Sequence, residues 1–315
     1  MADTHMNINQ LHPDLPPFLR YIPTLPFHNP VILSLFKRLH PLQEKLAKPQ
    51  PEVEICDHRL THCGVRLYRA TSTLKSRAAV LWIHGGGYIM GNAAMNDREC
   101  AVIARELGVL VVSVDYRLSP GNPFPAPLQD CYAAWRFMLS NASALEIDRE
   151  RIAVIGQSAG GGLAACLVQR IAEAGDLQPI AQALIYPMLD DRTAANLRLD
   201  AIKHRFWNNK NNRAGWHAYL GQPPGQPNTP RFAVAARQTN LSGLPAAWIG
   251  VGGLDLFYEE DRDYAARLKA AGVSCELFEE PGCPHGYDVI APNNSVSQRL
   301  IQNYLAFLRA RLLET

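Results

Sequence analysis

Several signatures are missing from this chain of 315 residues, and each absence removes a class of function. The seven cysteines (Cys56, Cys63, Cys100, Cys131, Cys166, Cys275, Cys283) include no Cys-x-x-Cys pair, which argues against a disulfide framework or a zinc ribbon and suits reduced, mostly buried thiols. Charge of one sign is scarce: 31 Lys and Arg against 29 Asp and Glu leave +2, too small a basic field to predict a nucleic-acid partner. No apolar run reaches membrane-spanning length, and Met1-Ala2-Asp3-Thr4-His5 does not open a basic region followed by an apolar core. No membrane association and a cytoplasmic location are therefore expected. Internal repeats and low-complexity tracts are also missing. The histidines show no His-Glu-x-x-His or other metal-ligand spacing, so His5, His12, His28, His40, His58, His62, His204 and His217 are read as solvated or core residues and no metal is expected. No Gly-Lys-Ser/Thr closes a phosphate loop, and no cofactor is predicted.

What is present is an alternation of strand and helix. Val65 to Tyr68 alternates like an edge strand, whereas Ala78–Ile83, Val109–Val114, Ile152–Ile155, Ala181–Tyr186 and Ala246–Val251 are nearly continuous apolar runs. Such runs suit strands buried on both faces of a parallel sheet. Helix-like segments lie between them at Asn96–Leu107, Pro127–Ser140, Ala159–Ala174 and Glu259–Ala271. The pattern predicts an α/β fold with a mostly parallel central sheet flanked by helices. Two stretches interrupt it: a proline-rich but apolar stretch over residues 1–50, and a polar, aromatic-bearing insertion over 190–243. The expected organisation is thus 1–50 as one part of a helical cap, 51–189 as the first part of the catalytic domain, 190–243 as the cap insertion and 244–315 as the second part. An insertion there would lie over the end of the sheet where such folds bind ligands.

Chemistry enters with two short runs. Gly156-Gln157-Ser158-Ala159-Gly160 follows a strand-like run and fits a nucleophile elbow, the sharp strand-to-helix turn that needs small residues two before and two after its serine. His84-Gly85-Gly86-Gly87-Tyr88 follows another, and a glycine-rich loop can turn N–H groups toward the oxyanion formed when an ester carbonyl is attacked. A serine nucleophile needs a base and an orienting acid, in the chain order serine, acid, histidine. Asp255, after Gly252 and Gly253, and His285, in Pro284-His285-Gly286-Tyr287, fit that order and both leave strands. Ser158, Asp255 and His285 are therefore the expected catalytic residues, with Ala159 N–H and two glycine N–H groups as the hole.

Competing residues are discounted on placement. Asp261 and Asp263 fall in a helix-like segment, and Asp288 is too near His285 in sequence to approach it from another strand. Cys283 lies two residues from His285 but has no oxyanion-type turn around it, and His84 precedes the nucleophile, which suits an anchor for its own loop better than a base. The Asn208–Asn212 run is read as a solvated loop.

In order along the chain, His84-Gly85-Gly86-Gly87, Asp115-Tyr116-Arg117-Leu118-Ser119-Pro120, Phe124-Pro125-Ala126, Gly156-Gln157-Ser158-Ala159-Gly160-Gly161, Tyr186-Pro187, Leu241-Ser242-Gly243-Leu244-Pro245, Gly252-Gly253-Leu254-Asp255 and His285-Gly286-Tyr287 are similar to the hormone-sensitive lipase family of α/β-hydrolases, which includes the bacterial family IV esterases. The resemblance implies the α/β-hydrolase fold and a carboxylesterase acting on small-molecule esters, with an oxyanion hole of Gly86, Gly87 and Ala159 and a cap over the site. It also implies a short- to medium-chain acyl preference. Tyr88, Phe206, Trp207, Leu256 and Tyr287 adjoin these motifs or fall in the cap and are candidate pocket lining. Two positions depart from the family: Gln157 stands where Asp is usual, and Gly121 where Glu is usual. A non-catalytic small-ligand receptor on the same fold, and an acyltransferase or amidase with the same triad, remain alternatives, and a homo-oligomer is left open.

Overall fold

A computed structural model describes residues 11–45, 52–71 and 76–314. The remainder of the expected N-terminal cap part, 1–10 and 46–50, lies outside the described residues. Helix α1 (Pro30–Lys45) precedes the hairpin β1 (Val53–Arg59) and β2 (Gly64–Ala70). There follow β3 (Ala79–Ile83), α2 (Asp97–Leu107), β4 (Leu110–Asp115), α3 (Ala126–Ser140), β5 (Ile152–Gln157), α4 (Ala159–Ala174) and β6 (Ala181–Ile185). After α5 (Asp191–Ala195) and α6 (Asn209–Leu220) come β7 (Ala246–Gly252), α7 (Tyr258–Ala270), β8 (Cys275–Glu280), α8 (Tyr287–Ile290) and α9 (Ser295–Leu312). The eight strands form one sheet in the order β1-β2-β4-β3-β5-β6-β7-β8. The hairpin is antiparallel and so is its junction with β4; every pairing beyond is parallel.

The continuous apolar runs are explained by two cores, one on each face. Along β3, Ala79, Leu81 and Ile83 lie in one core with Trp135 and Met138 of α3 and Leu163 and Leu167 of α4, a core that extends to Leu268 of α7. The intervening Val80 and Trp82 face Ile103 of α2 and Leu300, Tyr304 and Leu308 of α9. A side-chain period of two, with apolar partners on both sides, makes every position of β3 apolar. The edge strand is β1, which is mostly exposed, and it places Val65–Tyr68 one strand further in than the sequence suggested.

The strand order turns about β3: the chain passes from β3 to β4 on one side and later to β5 on the other. Helix α2 then packs on one face and α4 on the other, so the loops leaving β3 and β5 diverge and a crevice opens between them. Ile83 pairs with Gly156 across that boundary, so the glycine loop and the elbow emerge side by side.

The asparagine run is not the solvated loop expected. Asn208 caps α6 by accepting from the N–H of Asn211, and Asn209, Asn211 and Asn212 are fully buried. Asn211 joins the insertion to the N-terminal segment: its Oδ1 accepts from the N–H of His28 at 3.1 Å, and its Nδ2 donates to Leu25 O at 2.8 Å. Thr24 Oγ1 donating to His204 O at 2.9 Å and Arg205 Nη1 to Ile22 O at 3.1 Å continue the seam. Polar side chains that satisfy a neighbouring segment's backbone read as loop in sequence because their partners lie more than 180 residues away. Asn211→Ala removes both part-buried hydrogen bonds, to the His28 N–H and the Leu25 carbonyl, and should destabilise the protein by about 1–3 kcal/mol. Thermal melting and limited proteolysis ahead of α1 check this; unchanged melting and an unchanged cleavage pattern would contradict the seam.

Candidate active site

Ser158 ends β5 with φ 55° and ψ −121°, a conformation that costs a non-glycine residue strain and turns its side chain out of the sheet. The turn is held on both sides. The Ser158 N–H donates to Ile185 O at 2.9 Å, and Ser158 O accepts from Met188 at 2.9 Å and Gly162 at 3.1 Å. The small residues of the elbow are dictated by proximity: a Cβ on Gly160 would lie 2.1 Å from Ile83 O and 2.3 Å from His84 O, and one on Gly156 would lie 2.2 Å from Gly160 O.

The structure brings the three expected catalytic side chains together. Ser158 Oγ lies 2.9 Å from His285 Nε2, and His285 Nδ1 lies 2.8 Å from Asp255 Oδ2. Asp255 leaves β7 and His285 follows β8, so two neighbouring strands deliver the expected acid and base. A carboxylate only accepts, so Nδ1 carries the proton toward Asp255 and Nε2 is left to accept from the Ser158 hydroxyl. The other Asp255 oxygen accepts from the Phe257 N–H at 2.9 Å. Rings flank the imidazole edge-on: Tyr186 at 4.7 Å and Phe257 at 5.1 Å between centroids. All three side chains are buried, which keeps the Asp255–His285 interaction in a low-dielectric setting.

The glycine loop is fastened from beneath. His84 is fully buried, stacks on Tyr116 at 4.1 Å and places Nδ1 2.8 Å from Gly85 O. The Tyr116 hydroxyl donates to His84 O at 3.0 Å, and Arg117 forks onto the buried Asp130 with both bonds at 2.8 Å. Gly86 takes φ 107°, and its carbonyl accepts from Ile89 and Met90. Among the described residues, the N–H groups of Gly86 and Gly87 donate to no backbone carbonyl. Ala159 opens α4, where the first N–H groups have no intrahelical acceptor.

Of the candidate lining residues, Trp207 approaches Gly87 closely: a Cβ there would lie 2.2 Å from the indole ring. Phe206 is half-buried beside it at φ 63°, and Leu256 is buried next to Asp255. Tyr88 is wholly buried, stacked on Tyr219 at 4.1 Å with its hydroxyl donating to Met188 O at 3.2 Å. Tyr287 is buried in the core on the α9 side. Cys283 is buried, and burial pushes its thiol pKa up, away from the thiolate. Asp288 hydrogen-bonds Tyr186. Gly121 is exposed in the turn before α3. Among the described residues no group of three His, Cys, Asp or Glu is placed to hold a metal, and no helix is long and apolar enough to cross a membrane.

With this geometry in view, comparison with known proteins is specific. Residues 80–289 match a family described as having the α/β-hydrolase fold. The chain is 36% identical over 233 residues to the carboxylesterase NlhH of Mycobacterium tuberculosis, covering 72% of each. The chain belongs to the hormone-sensitive lipase family of α/β-hydrolases. It is a carboxylic ester hydrolase. It is also 32% identical over 229 residues to the ethyl acetate hydrolase of Pseudomonas putida, covering 71% of this chain and 70% of that one. Its fold superposes on the bacterial heroin esterase with a TM-score of 0.89 at 34% identity, covering 97% of this esterase and 99% of the other.

Sequence reasoning passed over two residues at the site. Tyr186 stands in the sequence only as part of a motif, and nothing in its spacing shows that its ring bears on His285. His204 was set aside with the other histidines, yet it is 8% exposed with Nδ1 buried and unpartnered. Burial lowers its pKa from 6.5 to about 4, with the Asp255 carboxylate pulling in the opposite direction. Its folded pKa is below its unfolded one, so the unfolded chain gains a proton that the folded protein refuses. Stability from this group is complete above pH 6.5 and is lost as pH falls toward 4. The loss is on the order of 3 kcal/mol at full extent. His204→Gln should flatten the fall of melting temperature across that window; an unchanged slope would contradict it.

Proposed function

We propose that this esterase cleaves short- to medium-chain acyl esters through a Ser158–His285–Asp255 triad and an acyl-enzyme intermediate. The observation that carries the reading is the continuous path from Ser158 Oγ through both ring nitrogens of His285 to Asp255, each link within 3 Å. Ser158 Oγ attacks the ester carbonyl while His285 Nε2 takes its proton; Asp255 holds the Nδ1–H and balances the imidazolium. The carbonyl oxygen becomes an oxyanion facing the N–H groups of Gly86, Gly87 and Ala159. Collapse expels the alcohol, which takes the proton from His285 and leaves Ser158 acylated. Water then attacks the acyl carbon with His285 again as base, and release of the carboxylic acid restores the serine.

Acyl size is read from what stands over the nucleophile. The residues 11–45 and 190–243, stitched at Asn211, act as a cap, and Trp207 reaches Gly87 at the oxyanion loop. Phe206 and Leu256 are the other proposed walls. A slot closed by such residues gains up to about 0.8 kcal/mol per added methylene only until it is full. The similarity to an enzyme named for ethyl acetate supports the short end of the range.

Ser158→Ala should abolish hydrolysis with folding intact. Asp255→Asn should lower kcat by about four orders of magnitude, the scale found when an imidazole is held in the wrong tautomer, and Asp288→Asn by far less. Equal losses from the two would reassign the acid. Across p-nitrophenyl esters, kcat/KM should peak between about two and eight acyl carbons; a rise that continues into emulsified long-chain substrates would refute the closed slot.

A further inference from the structure

Gln157, where the family resemblance implies Asp, stands in a buried chain of hydrogen bonds. The Trp82 indole N–H donates to Asn96 Oδ1 at 3.2 Å, and Asn96 Nδ2 donates to Gln157 Oε1 at 3.1 Å. Gln157 Nε2 in turn donates to the Tyr186 hydroxyl at 2.6 Å, which donates to Asp288 Oδ1 at 2.6 Å. All five residues are buried. An indole N–H cannot accept, so it sets the direction of every bond after it. Each amide must present oxygen toward Trp82 and nitrogen toward Asp288, and the tyrosine proton must point at the carboxylate.

The chain begins in the sheet and ends beside the base. Gln157 immediately precedes Ser158, and Asp288 lies in α8, the short helix that follows His285. Tyr186 touches both sides: its hydroxyl is fixed between Gln157 and Asp288, while its ring lies edge-on to the His285 ring. Its backbone is held at φ 35°, an unfavourable value for a tyrosine that the surroundings must enforce. Asp255 fixes only one edge of the imidazole, at Nδ1. Tilt about that bond is limited by the flanking rings, and of these Tyr186 is pinned by its own side-chain hydrogen bonds.

We propose that Tyr186, locked by Gln157 and Asp288, is the positioning residue that holds the His285 ring in line with Ser158, and that Gln157 is required because Asp288 ends the chain. An aspartate at 157 could only accept. It would draw the tyrosine proton away from Asp288 and set two buried carboxylates at one hydroxyl, where like charges repel. The glutamine is thus the partner that a carboxylate at 288 demands.

This inference rests on the triad reading, and the test separates the two. Active sites are first titrated with a p-nitrophenyl phosphonate, and kcat is expressed per titrated site. Tyr186→Phe, which keeps the ring but breaks the chain, should lower kcat about ten- to a hundredfold, the scale expected for a misplaced catalytic group. KM should move by less than about twofold, because substrate binding is untouched. The downfield proton resonance of the His285 Nδ1–H should shift. Adding Gln157→Leu to Tyr186→Phe should lower kcat by less than about a further twofold, since the chain is already broken. Asp288→Asn, whose amide oxygen can still accept, should recover most of the activity that Asp288→Leu loses; this pair carries the test if Tyr186→Phe does not fold. A Tyr186→Phe enzyme with near-normal kcat per site, losses that multiply in the double variant, or equal losses from Asp288→Asn and Asp288→Leu would overturn the proposal. Absence of label on Ser158 in the unaltered enzyme would remove the triad reading as well.

Discussion

The backbone of the turn after β5 runs against the carbonyl oxygens of Ile83 and His84, closer than any side chain allows, and the site is assembled around that contact. It exists because β3 and β5 are adjacent parallel strands whose connections leave in opposite directions. With Gly160 at the start of α4 the glycine loop and the helix N-terminus lie against one another, and the proposed oxyanion donors Gly86, Gly87 and Ala159 belong to those two elements. A single methyl group at Gly160 would have to displace two carbonyls of the central strand. The strain at Ser158 is sustained by the same arrangement, because its N–H and carbonyl are both taken by neighbours, leaving the backbone no easy relaxation.

Around that contact the remaining groups act as supports of graded directness. Tyr116 holds the glycine loop through its bond to His84 O, and the neighbouring Arg117 forks onto Asp130 of α3. Asp255 orients His285 through one nitrogen, and the rings of Phe257 and Tyr186 limit its tilt. The hydrogen-bond chain through Gln157 joins the strand before Ser158 to the short helix after His285, so residue 157 ties two parts of the candidate site together. The insertion brings Trp207 onto Gly87.

The sheet was legible because buried parallel strands must be continuously apolar, and Ala79–Ile83 and Ile152–Ile155 could be nothing else at that length. The elbow and glycine loop were legible because backbone contact forces glycine at fixed spacings. Other features depend on partners remote in sequence. β1 carries Glu54, Asp57, His58 and Arg59 on an exposed edge and shows little alternation to detect. Asn209, Asn211 and Asn212 are polar by type and buried by context; Asn211 serves backbone groups of residues 25 and 28, which no local pattern reveals. For Gln157, the residue itself was visible as a departure, but its meaning required Asp288 to be brought near it by the fold.

The account turns on one claim: that the Gly160 contact places three N–H groups around the oxygen that forms when Ser158 attacks. The crystal structure of the enzyme after reaction with a p-nitrophenyl alkylphosphonate tests it directly, since the tetrahedral phosphonyl group stands in for the reaction intermediate. The account predicts a single adduct on Ser158 Oγ, with one phosphonyl oxygen about 2.7–3.1 Å from the N–H groups of Gly86, Gly87 and Ala159. An adduct on another residue, or one on Ser158 whose oxygen turns away from those three groups, would contradict it.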